Sequence, residues 1–194
     1  MTTSTFARLF AGAGLVATAC FGPKSDPTTF WVLTPQAPPA AATGAPGPAI
    51  GIGPVTLPEY LGRPQLVSRV DEHQVLVDEF SRWAEPLDDM LADALAEQIL
   101  AEVRPVSLVR YPWRGNQIPD LSVKVQVSRF EPRASGEVLL QATWQVLDKE
   151  GKQLSSHASE HRVPAGPSVK EAVAAMSQAA GQLAKEISGV LRAQ

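Results

Sequence analysis

The chain of 194 residues has one cysteine, and aromatic residues make up only 6% of it. A single Cys excludes an internal disulfide and any four-cysteine zinc site. Basic residues are outnumbered, 17 Lys and Arg against 20 Asp and Glu, for a net charge of −3. No Lys/Arg run interrupts that balance, so the electrostatic footprint of a nucleic-acid binder is missing, as is a polybasic membrane patch. No apolar run reaches the roughly 20 residues that a spanning helix requires. Motifs of catalysis are missing too. There is no G-x-S-x-G nucleophile elbow, no G-x-x-x-x-G-K-[ST] phosphate loop and no H-E-x-x-H. The stretch GIGPVT (51–56) has only two of the glycines of a dinucleotide loop and places Pro54 where a helix would open.

What the chain does have begins at its N-terminus. MTTSTFAR (1–8) carries one positive charge at Arg8, and LFAGAGLVATA (9–19) is apolar or small throughout. A charged start, a short apolar run and small residues before a cut describe a secretory signal. Ala17, Thr18 and Ala19 are the small residues, and the lone Cys20 follows them directly. The arrangement resembles a bacterial lipoprotein signal, in which the Cys thiol takes a diacylglyceryl group and becomes the new N-terminus. It departs from the usual pattern in placing Ala17, where Leu is common, three residues before the Cys. The alternatives are an ordinary cleaved signal with an incidental Cys, or a buried free Cys. Lipidation would tie a domain to a bilayer without a transmembrane helix, stably so once two or more acyl chains are present. Phe21 stands where an Asp would retain many such proteins at the inner membrane, which favours the outer membrane.

Seventeen Pro and fourteen Gly are concentrated in a few stretches, as linkers and loops require. Residues 20–28 read as a lipidated tether and 29–194 as one domain, with PQAPPAAATGAPGP (35–48) as an extended loop inside it. Strands are expected at TTFWVL (28–33), AIGIGPVTLP (49–58), PQLVSRV (64–70), QVLVDEF (74–80) and VSLVRYP (106–112). Three more follow at LSVKVQVSRF (121–130), EVLLQATWQVL (137–147) and the more polar QLSSHASEHRV (153–163), which suits an edge. Over 84–103, Leu87, Leu91, Leu95, Ile99 and Val103 recur at helical spacing behind Pro86. Ser168 and Glu171 form a capping box opening a last helix, whose Val173, Met176, Ala180, Leu183, Ile187 and Val190 make a seam. These elements predict an α+β fold, a largely antiparallel sheet packed by two amphipathic helices in a single domain.

His157 and His161 are four residues apart on a predicted strand, roughly 13 Å, which is too far for one ion. They read as edge-strand side chains in solvent, and His73 as a turn residue. Trp83 and Trp144 read as core. Tyr111 and Trp113 flank a loop with Arg110 and Arg114, a composition enriched in contact surfaces.

VTLPEYLGRPQLVSR (55–69) followed by DEFSRWAEPLDDMLADALAEQIL (78–100) resembles the ABC-type transport auxiliary lipoproteins, of the paraquat-inducible protein C type. The FWVL strand, the V-x-V strand ending at Phe130 and the AxW strand around Trp144 agree with it. The resemblance implies a lipid-anchored periplasmic subunit at the outer membrane that works with an MCE-domain protein and inner-membrane transporter components. The cargo would be phospholipid or another hydrophobic molecule, and the subunit itself could be oligomeric. It implies no catalytic residues and no cofactor beyond the acyl groups on Cys20. Arg63, Arg82, Tyr111 and Trp113 are the candidates for partner binding. A periplasmic carrier that holds lipid between sheet and helices is the second reading.

If Cys20 carries the anchor, Cys20→Ala moves the protein from the membrane fraction to the periplasmic extract. Fractionation with intact-mass analysis checks this, and wild-type protein lacking acyl mass would overturn it.

Overall fold

Clean apolar alternation over residues 121–127 makes the longest strand of the sheet, and the other strands are arranged around it. The structure is a computed structural model that describes residues 27–36, 46–115 and 117–194, so Cys20, the expected anchor, and residues 37–45 of the expected loop lie outside it. In chain order the elements are β1 (Thr29–Trp31), β2 (Ile50–Thr56), a 3-10 turn (Glu59–Leu61), β3 (Gln65–Arg69), β4 (Val75–Trp83), α1 (Leu87–Val103) and β5 (Leu108–Arg110). They continue through β6 (Leu121–Arg133), β7 (Glu137–Asp148), β8 (Gln153–Pro164) and α2 (Val169–Leu191). The fold is α+β with two helices packed on one sheet, as the sequence predicted, and the eight-stranded sheet is mixed, with parallel pairings beside the expected antiparallel ones.

Its antiparallel part is the long meander β6–β7–β8 and the hairpin β3–β4. The parallel pairings, β2 with β5 and β6, β1 with β4, and β3 with β6, are shorter. They arise because β2 and β6 are joined through the long excursion that contains α1, a crossover that a hairpin cannot make. On its side away from β7, β6 is shared. Residues 121–126 pair with β2, whereas Arg133, at the other end, pairs with Arg69 of β3. The register of β2 shifts between Ile52 and Val55, where Gly53 at φ 110° takes a backbone conformation that side-chain-bearing residues avoid.

The helices pack on one face of the sheet and on each other. Alternate residues Val138, Leu140, Ala142, Trp144 and Val146 of β7 are buried with Val123, Val125, Val127 and Phe130 of β6 against Met176, Leu183 and Ile187 of α2. The Leu stripe of α1 is completely buried at Leu91, Leu95 and Ile99, and burial extends around the helix to Ala92, Ala96 and Gln98. The reason is that α1 is covered by α2, β2, β5 and the strap that follows β1. In that strap Leu33 is buried, the amide of Thr34 donates to Ser177 Oγ at 3.0 Å, and Gln36 lies against Gly181. The capping box is present, with Glu171 N donating to Ser168 Oγ at 3.2 Å and Ser168 N to Glu171 Oε2 at 3.0 Å.

β8 is an edge strand, as expected, but its histidines are not solvated. His157 stacks on Trp144 with ring centroids 4.2 Å apart, and His161 Nε2 lies 3.3 Å from Glu186 Oε2 of α2. The cause is the period of two: Ser155, His157, Ser159, His161 and Val163 share the face that α2 covers. Trp144 is fully buried and its indole N–H donates to Ser159 Oγ at 2.8 Å.

Candidate functional site

Pro58 holds φ at −59° ahead of the 3-10 turn, and Leu61 is buried within it. This turn presents Tyr60 to the end of β6, where Glu131 is fully buried. Glu131 Oε1 accepts from Arg69 Nε at 2.7 Å, and Oε2 accepts from Tyr60 Oη and from the Phe130 amide, each at 2.9 Å. Arg129 Nε stands 3.6 Å from Oε1, and the Arg69 guanidinium lies 5.6 Å from the Tyr60 ring centroid. A carboxylate survives burial only when it is paired and its lone pairs are filled, and here both conditions are met. Burial pushes the Tyr60 phenol above its ordinary value of 10.0, Arg69 pulls the other way, and the neighbouring Glu131 charge adds to the rise. The hydrogen bond to Glu131 is the main reason that the Arg69 guanidinium titrates above its usual range, against the opposing cost of burial.

The hairpin fixed in this way forms one wall of an apolar groove of about 870 Å³. Val70, Leu76 and Phe80 line it from the hairpin, Pro132 from β6, and Val169 and Ala172 from the first turns of α2. All three hairpin residues are exposed. Phe80 belongs to a local excursion of β4, where Asp78 Oδ1 accepts from the amides of Phe80 and Ser81 at 2.9 and 3.1 Å. Partial burial works against ionisation of Asp78, but the hydrogen bonds from Ser81 and the two amides outweigh it and hold the carboxyl below 3.8.

The four residues singled out from the sequence fall in two places. Arg63 is exposed beside a cleft of about 260 Å³ lined by Pro64, Trp83 and Pro86. Arg82 precedes Trp83, whose amide donates to Pro64 O at 2.7 Å, and the Nε of Arg82 is buried without a hydrogen-bond partner. Tyr111 and Trp113 lie by the β5 edge in an edge-to-face pair, centroids 5.4 Å apart. Trp113 is half-buried over Gly51, where a Cβ would come within 2.5 Å of its ring, so packing accounts for it. Tyr111 is 51% exposed. Arg110 is engaged with α1, its guanidinium 2.8 Å from Asp89 and 2.6 Å from Asp93. Asp88, at the start of α1, borders both the Arg63 cleft and the hollow beside Tyr111.

Sequence reasoning missed the Glu131 cluster. Arg69 and Glu131 are 62 residues apart, and Glu131 sits just past the alternating run. The register of β6 shifts between Val127 and Arg129, which moves Glu131 to the face opposite the helices. Among the described residues no group of three or more His, Cys, Asp or Glu could hold a metal ion, and no helix is long and apolar enough to cross a membrane.

A family model described as ABC-type transport auxiliary lipoprotein component matches residues 31–188. The crystal structure of an uncharacterized protein superposes with a TM-score of 0.71 at 17% identity, covering 86% of this chain and 99% of that one. A Xanthomonas campestris protein does so with a TM-score of 0.70 at 20% identity, covering 84% and 94%. The PelC dodecamer of Paraburkholderia phytofirmans gives 0.48 at 14% identity, covering 81% and 95%. At these identities the likeness to the first two is one of fold. No curated protein matches the chain.

Glu131→Gln leaves Arg69 without its countercharge and should cost about 3–5 kcal/mol in denaturant unfolding; a loss under about 1 kcal/mol would remove the cluster from its structural role. Tyr60 makes a second, pH-dependent test. Its folded-state pKa is raised, so its contribution is complete below pH 10 and is lost as pH rises through the higher folded value. Stability measured from pH 9 to 12 should fall more steeply for wild type than for Tyr60→Phe.

Proposed function

The chain belongs to the ABC-type transport auxiliary lipoprotein family, and from that premise we propose that it is the lipid-anchored periplasmic subunit of an MCE/ABC-type intermembrane lipid transport system. In this reading it sits at the outer membrane and docks the MCE assembly. Family membership gives the coarse role of transport auxiliary, with partners among ABC transport components. One observation supports docking over carriage: the space between helices and sheet is filled. Phe130, Trp144, Leu95, Ile99, Leu183 and Ile187 have essentially no exposed surface. A carrier of the kind considered from the sequence would keep an apolar cavity of several hundred Å³ in that place.

The carrier reading keeps one specific support, the 870 Å³ groove, which lies outside the helix–sheet interior and opens to the surface. The partner face we assign is the β5 edge with Tyr111, whose exposed ring and neighbouring Arg110 and Arg114 suit a contact that desolvates an aromatic anchor. Arg63 and Arg82 remain candidates at the neighbouring cleft.

The test is a cross-linked pull-down of the full-length protein from membranes, with proteins and lipids identified by mass spectrometry. Recovery of an MCE-domain protein with lipid at background is the expected result. Tyr111→Asp should lower that recovery about tenfold, as loss of an interface anchor does, without changing the melting temperature. Stoichiometric lipid without an MCE-domain protein would overturn docking in favour of carriage.

A further inference from the structure

The described residues open at Pro27, and the first strand places exposed apolar side chains close to that entry point. β1 pairs in parallel with the end of β4, Thr29 opposite Ser81 and Phe30 opposite Arg82. The chain therefore enters the fold next to Phe80. Phe30 is 64% exposed, Val32 55%, Phe80 47% and Leu76 59%. These side chains flank the first turns of α2 from two sides. Phe80, Leu76 and Val70 share the large groove with Val169 and Ala172, while Phe30 and Val32 line a shallower one with Lys170, Val173 and Ala174.

We propose that Phe30, Val32, Leu76 and Phe80 form a second membrane contact, an apolar surface that rests on the phospholipid bilayer to which Cys20 is anchored and so fixes the orientation of the domain. The proposal rests on the lipid-anchor reading above. Seven residue steps separate Cys20 from Pro27, which span at most about 25 Å. The bilayer surface is thus never far from Phe30. Confinement on so short a tether makes the effective lipid concentration high, so a contact too weak to recruit the protein still holds its orientation. Phe and Leu suit this position, because apolar faces that carry them lie buried at the boundary between headgroups and acyl chains. The charges around the patch allow it. Arg82 and Lys170 border Phe30, while Asp78 is occupied by turn amides and Glu79 accepts from Gln65 Nε2 at 3.2 Å. In the path β1-β4-β3-β6-β2-β5 the patch lies at the β1 end and Tyr111 by the β5 end. An orientation set by Phe30 and Phe80 leaves the β5 edge for a partner.

The single cysteine makes the test clean, since acylation consumes the only native thiol. Phe30→Cys, Phe80→Cys and, as control, Ile118→Cys are made in the full-length lipidated protein, which is bound to vesicles of phosphatidylethanolamine and phosphatidylglycerol. A membrane-impermeant maleimide then measures thiol reactivity, with Cys20→Ser forms of each variant as the unanchored reference. The thiols at 30 and 80 should react about tenfold more slowly on vesicles than in the unanchored reference, as a patch seated in lipid about nine-tenths of the time requires. The thiol at 118, 64% exposed in the native chain, should react equally in both. Acylated protein with unprotected thiols at 30 and 80 would overturn the surface and leave the anchor standing. Protein without acyl mass would overturn both. Equal protection in the unanchored reference would mean that a second copy covers the patch, and would also overturn it.

Discussion

A single buried carboxylate links the two halves of the sheet where their backbones barely meet. β3 meets β6 at one backbone pair, Arg69 with Arg133, and beyond it the hairpin is held by Leu66, Val67 and Trp83 in the core. To that apolar packing Glu131 adds directional bonds, taking a guanidinium from β3, a phenol from the 3-10 turn and an amide from its own strand. The hairpin in turn pairs through β4 with β1, so the first strand is joined through the sheet to a buried ion pair three strands away. Such a pair is weak as a source of net stability but costly to break from one side, which makes it a device of position. Tyr60 and Arg69 both belong to the stretch on which the family resemblance was first read. Their pairing with Glu131 gives that stretch a physical purpose.

Much of the architecture was legible because it is local. The alternation of Leu121, Val123, Val125 and Val127 states which face is buried, and the Ser168–Glu171 pair states where α2 begins. The stripe of α1 was legible as a helix but not as one buried nearly all round, since what covers it comes from strands before and after it. The histidines were misplaced for a similar reason. A polar strand at a sheet edge reads as solvated, but α2 returns over β8 and turns every second residue into an interface. The candidate site was the least legible part. Glu131 follows a register shift that no pattern announces, and its partners are 62 and 71 residues away. Of the four residues named from sequence, Trp113 is accounted for by its seat on Gly51, whereas Tyr111 remains half-exposed.

The distribution of burial bears on function more directly than any single residue. A chain that carried lipid between its layers would have to leave those layers apart, and here Leu33 from the strap is buried along with the facing sides of both helices. The apolar surface not used in the core is displaced outward, to the hairpin and the first strand, where it is open to a second surface. A chain that fills its core so completely while exposing Phe30, Leu76 and Phe80 offers those side chains to a second surface. A covering surface that meets both sides of the α2 N-terminus has to be nearly planar, and the bilayer proposed above has that shape and lies within reach of a tether on Cys20. In that orientation the β5 edge, at the other end of the strand path, is left open to a partner.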